Sequence, residues 1–112
     1  MPSVDRFGEP IDQGYWTEQA LTTFGQLFRG ATAFPPGRGV WRDDDRNGEL
    51  VFDDTQMVLS YVPEGAFSDE EIVKRLRTFL WRMGREANQG EVGIVIDGTY
   101  IGIVDYEDGG TE

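Results

Sequence analysis

Between Ser68 and Gln89 apolar residues recur with the period of an α-helix, and no other stretch restricts the fold as much. Ile72, Leu76, Phe79, Leu80, Met83 and Ala87 return at spacings of three and four, so one stripe can bury against a sheet. Ser68 followed by Glu71 reads as a capping box, in which a hydroxyl and a carboxylate satisfy amides that a helix start leaves unpaired. Gly90 stands where a left-handed residue commonly closes a helix. At about 100° per residue, Lys74, Arg77, Trp81, Arg82 and Arg85 fall on the side opposite the apolar stripe.

A second stripe, Trp16, Ala20, Leu21, Phe24, Leu27 and Phe28, predicts a helix from about Tyr15 to Arg29. Asp12 or Thr17 can cap its start, and Gly30 can end it. Gly25 within it costs about 1 kcal/mol against Ala and suggests close approach to a strand. The other segments read as extended. They are a short edge strand at Val4 to Phe7, Ala31 to Phe34, Val40 to Arg42, Leu50 to Phe52, and a longer strand from Thr55 to Val62. Pro35-Pro36-Gly37-Arg38-Gly39 should break regular structure, and Asp43 to Gly48 should turn tightly. Near the C-terminus, Glu91 to Ile96 and Thr99 to Tyr106 flank Asp97-Gly98, a hairpin signal. A two-residue turn there sets Ile94 opposite Ile101, Val92 opposite Ile103 and Val95 opposite Tyr100. Gly93 and Gly102 then face each other and leave a shallow gap for a helix, a ligand or another chain.

This order of elements predicts an α+β fold. An antiparallel sheet would carry two helices on one face as a ferredoxin-like sandwich, with the C-terminal hairpin at one end. Residues 1–112 read as a single domain, with 1–14 and 107–112 loosely ordered. Phe34-Pro35-Pro36-Gly37-Arg38-Gly39-Val40-Trp41 and the acidic turn after it resemble a stretch found in small bacterial proteins without assigned function. The resemblance covers about residues 17–65; it supports the fold expectation and lends no activity to any residue.

Charge and composition narrow the function classes. Twenty-one acids against ten bases give a net charge of −11, which argues against binding nucleic-acid phosphates or anionic lipid. A basic partner, a metal ion or solubility can account for the excess of acid. His and Cys are both absent, which excludes Ser/His and Cys/His nucleophile systems and disulfides. An enzyme would have to work with carboxylates, Tyr, Arg, Lys74 or a bound metal. The chain shows neither an apolar run of spanning length nor a signal-peptide pattern, and it reads as cytoplasmic.

Two constellations could carry function. Asp43, Asp45 and Asn47 occupy the first, third and fifth places of a calcium-loop pattern, with Gly48 sixth, the Glu49 carbonyl seventh and Asp54 twelfth. Against this, Asp54 is a methylene shorter than the usual Glu, and the flanks are strand-like. The alternative is an acidic hairpin turn in which Asn47-Gly48 supplies positive φ. The second constellation is Trp81 among Lys74, Arg77, Arg82 and Arg85, a composition enriched at interface hot spots. Its alternative has these bases pairing with neighbouring acids while Trp81 lies over their stems or against the first helix. The expected function is a non-catalytic acidic interaction module, an inhibitor, immunity-type or accessory protein that binds a protein partner or itself. A calcium-stabilised domain comes second, and a carboxylate- or metal-dependent enzyme third.

Overall fold

Helix α1 (Gln13–Phe28) begins where the Asp12 carboxylate accepts a hydrogen bond from the Tyr15 amide. The computed structural model describes residues 1–106. At the other end of α1, Arg29 takes the left-handed conformation (φ 75°) and donates its amide to the Gly25 carbonyl. Gly30, expected in that role, lies one residue further on.

Helix α2 (Glu70–Glu86) follows a 3₁₀ turn, Ala66–Ser68. Its cap is the Asp69 carboxylate, which accepts from the amides of Glu71 and Ile72. The cap thus sits one residue beyond Ser68, and with Ile72 at the third helical position the expected capping box does not form. The carboxylate bonds to the helix's first amides and, with Glu70 and Glu71, sets negative charge at its positive end. The left-handed residue after α2 is Asn88 (φ 51°) and not Gly90.

The two apolar stripes find each other. Trp16, Ala20, Leu27 and Phe28 of α1 share one buried cluster with Leu76, Phe79, Leu80, Met83 and Ala87. Phe24 meets Phe79 edge to face at 6.2 Å between ring centroids, and Phe28 meets Phe67 at 5.9 Å. A Cβ at Gly25 would meet no atom within 4 Å, so the close approach expected there does not occur.

The fold is α+β, with two helices and small antiparallel sheets. Strand β1 (Thr32–Ala33) pairs with β4 (Val58–Leu59), β2 (Gly37–Asp43) with β3 (Glu49–Thr55), and β5 (Val92–Ile96) with β6 (Thr99–Ile103). These are three separate two-stranded ladders, not the one sheet of the expected sandwich. The cause is local. Pro35 and Pro36 have no amide to donate, so β1 stops after two residues. The expected strand Thr55 to Val62 therefore finds a ladder partner at Val58 and Leu59. Before it, the buried Gln56 side chain donates to the carbonyls of Phe34 and Met57. Gly37-Arg38-Gly39, expected to be irregular, opens β2.

The N-terminal segment forms a single bridge, Val4 to Pro10, in place of the expected edge strand. It is fastened to the end of α2: Arg6 donates its amide to the Asn88 carbonyl and its guanidinium to the Gln89 carbonyl. Gln89 donates back to the Val4 carbonyl.

In the last ladder, Asp97 (φ 51°) and Gly98 (φ 79°) form the turn. Val92 stands opposite Ile103 and Ile94 opposite Ile101, with Val92, Ile94 and Ile103 against the core. Gly93 faces Gly102 on the outer side. The chain fills this notch itself. A Cβ on Gly93 would fall 2.5 Å from the Tyr100 ring, and one on Gly102 would fall 2.8 Å from the Glu91 carboxylate. The Tyr100 hydroxyl donates to that same carboxylate. This bond, helped by burial and the nearby negative charge, raises the Tyr100 pKa above the ordinary tyrosine value.

Candidate interaction surfaces

The basic face of α2 divides into two rows. Along one, Lys74 is exposed, and the Arg77 guanidinium lies 5.1 Å from the centroid of the half-buried Trp81 ring. At its end, Arg85 Nη1 donates to the Tyr106 carbonyl at 3.2 Å. The other row turns toward α1. Arg82 Nη2 donates to Gln19 Oε1 at 2.8 Å, and its guanidinium stands 5.3 Å from the Trp16 ring centroid. Arg75 reaches Gln26 Oε1 at 3.3 Å. Arg82 therefore leaves the expected cluster and closes the polar groove between the helices, with Glu86 3.8 Å from its Nε. Lys74, Arg77, Trp81 and Arg85 share a row, but the last three each engage their own chain. Replacing Trp81 with Ala should accordingly lower stability by about 1–2 kcal/mol in a urea titration. A change under about 0.5 kcal/mol would show that the ring contributes nothing to the fold.

The acidic turn closes on itself. Asp44 to Arg46 form a 3₁₀ turn, and Asn47 (φ 60°) and Gly48 (φ 77°) both adopt positive φ. The Asp43 carboxylate accepts from the Asp45 amide at 3.1 Å and faces Arg46 Nε at 3.5 Å. Asp44 takes Arg42 Nε at 2.6 Å. Glu49 pairs with Asp43, whereas Asp54 pairs with Arg38, five residues down β3 and about 17 Å away. Asp54 is thus separated from Asp43, Asp45, Asn47 and Glu49, and its carboxylate lies 3.6 Å from Arg38. Among the described residues no three acidic groups lie together as metal ligands would.

A group of exposed apolar side chains lies on the ribbon between these charges. Strands β2 and β3 pack chiefly on each other. Their register puts Arg38, Val40 and Arg42 on one face with Asp54, Phe52 and Leu50. Val40, Leu50 and Phe52 are 54%, 58% and 57% exposed, and Arg38 sits 5.1 Å from the Phe52 ring centroid. On the other face Trp41 stands opposite Val51 and is 54% exposed. That face also carries Asp43, Glu49 and Asp53, and it is anchored at its base, where the Ser3 amide and hydroxyl donate to Asp53. Reading Val40-Trp41 and Leu50-Val51-Phe52 as strands finds these residues but not their exposure, because the expected sheet would have covered one face. The sequence signal for the exposure is the Pro35-Pro36 pair, which separates the ribbon from the neighbouring ladder.

No family model, curated protein or solved structure matches this chain. Among the described residues no helix is long and apolar enough to cross a membrane.

Proposed function

We propose that this chain is a non-catalytic interaction module that binds protein through the β2–β3 ribbon. The supporting observation is that large apolar side chains stand more than half exposed on both faces of a two-stranded ribbon. A lone two-stranded hairpin is marginal in water, and apolar surface grouped in this way marks contact sites more often than scattered residues do. The aromatic residues Trp41 and Phe52 are of the kind that anchors interfaces. The row of Lys74, Arg77, Trp81 and Arg85 contributes at most a rim, because intramolecular contacts already occupy most of it.

The test is a paired capture from the host's own extract, with wild-type chain and a Trp41→Ser, Phe52→Ser variant immobilised side by side. A protein held by the wild type, lost from the ribbon variant and retained by Lys74→Glu is expected. Equal capture by wild type and ribbon variant would sink the proposal.

A further inference from the structure

We infer that Asn47, at the tip of the β2–β3 ribbon, is a site of spontaneous deamidation, and that opening of the ribbon sets its rate. This holds whatever the ribbon binds. The reaction needs only a side-chain amide and the backbone nitrogen that follows it. The Gly48 nitrogen gives up its proton and attacks Asn47 Cγ. A nitrogen–carbon bond forms, the Cγ–Nδ2 bond breaks, and the proton leaves on the departing ammonia. Water then opens the five-membered imide at either carbonyl, returning a proton to the nitrogen and leaving a carboxylic acid. The product at position 47 is aspartate or its β-linked isomer, and no electrons are gained or lost.

The chain has two asparagines, and both stand in the left-handed region, Asn47 at φ 60° and Asn88 at φ 51°. Their followers differ. Asn47 is exposed and precedes Gly48, which has no side chain to crowd the attacking nitrogen. Asn88 precedes Gln89, which is 6% exposed and donates its amide to the Gly84 carbonyl at 3.0 Å. The Asn88 side-chain amide is itself engaged by Asp5 at 3.4 Å. In the closed turn Gly48 is held too, since its amide donates to the Asp43 carbonyl at 3.0 Å. What separates the two sites is the cost of release. Gly48 lies in the connection between Asp43 and Glu49, on a ribbon that shares no strand with the rest of the molecule. Gln89 is tied both to α2 and to the N-terminal segment. A lone two-stranded ribbon opens at a free energy below that of global unfolding. The same turn already carries Asp43, Asp44, Asp45 and Glu49, and each conversion adds a negative charge to it. The β-linked product also lengthens the backbone of the connection that fixes the register of β2 on β3. Asp97-Gly98 offers a similar nitrogen, but a carboxylate resists the attack that an amide accepts.

The whole chain is held at about 37 °C and at about pH 7 or 9, in buffer or in about 6 M guanidinium chloride, and its peptides are mapped by mass over days. A gain of one mass unit should map to Asn47 well before any appears at Asn88. The rate should rise about tenfold per pH unit, with the fraction of deprotonated amide nitrogen. Conversion should be about tenfold or more slower in the folded chain than in guanidinium. Val40→Gly, which weakens the ladder away from the tip, should speed it about fivefold at Asn47 and leave Asn88 unchanged. An Asn47 that stays intact in the folded chain while guanidinium converts it overturns the inference, and so does an Asn88 that converts first. Equal rates in the folded and unfolded chain, or no response to Val40→Gly, would overturn the ribbon's control of the rate.

Discussion

Phe79→Ala should cost about 3–5 kcal/mol and lower the melting temperature by roughly 10–20 °C. Phe79 is 6% exposed and lies in the cluster where α1 and α2 meet, with the Phe24 ring against its edge. Removing the ring loses the transfer free energy of a buried aromatic and leaves a cavity that two packed helices close only in part. A domain of this size has about 5–15 kcal/mol of stability, so the variant should be partly unfolded at physiological temperature. Tyr61, which is 85% exposed, provides the contrast: Tyr61→Ala should stay within about 0.5 kcal/mol. A loss below about 1 kcal/mol at Phe79 would mean that the helices do not meet there.

The second large effect is expected at Gly84, and its sign should depend on another residue. A Cβ at Gly84 would overlap the Tyr106 ring, so the ring lies directly on the helix backbone. Burial raises the pKa of the Tyr106 hydroxyl, and the Arg85 guanidinium holds the Tyr106 carbonyl. Gly84→Ala must displace the ring, at a cost of about 1–3 kcal/mol. With Tyr106→Ala already in place the obstacle is gone. Alanine should then stabilise α2 by up to about 1 kcal/mol over glycine, as it does inside helices generally. A coupling of about 2 kcal/mol or more in this double-mutant cycle would confirm the contact. Additive effects would place Tyr106 elsewhere.

What could be read from sequence follows the range of the interactions involved. The stripe from Leu76 to Ala87 and the Asp97-Gly98 turn are set by neighbours three, four or one residue away, and both elements are present. Helix ends were less legible. Ser68 and Asp69 are both good caps, and Arg29 and Asn88 take left-handed positions with glycines close by. The single sheet failed because pairing is long-range, and the consequence of two prolines for the strand after them depends on its partner. The separation of Asp54 from the other acids of the calcium pattern was hidden for a related reason, since spacing along the chain does not reveal hairpin register. Gln19 and the Tyr106 carbonyl lie too far along the chain to be foreseen as partners of Arg82 and Arg85 on the α2 face.

Pro35-Pro36 also has a consequence for how the chain tolerates change. Because the ladder stops there, β2 and β3 share no strand with the rest of the molecule, and the helix-borne cluster contains no ribbon residue. On the proposed reading of the ribbon as the contact surface, specificity and foldedness are stored in separate parts of the sequence. Substitutions at its exposed positions Val40, Trp41, Leu50 and Phe52 should then alter what the protein recognises while leaving its yield and melting point nearly constant. A library confined to those positions could be screened for new partners without first being screened for folding.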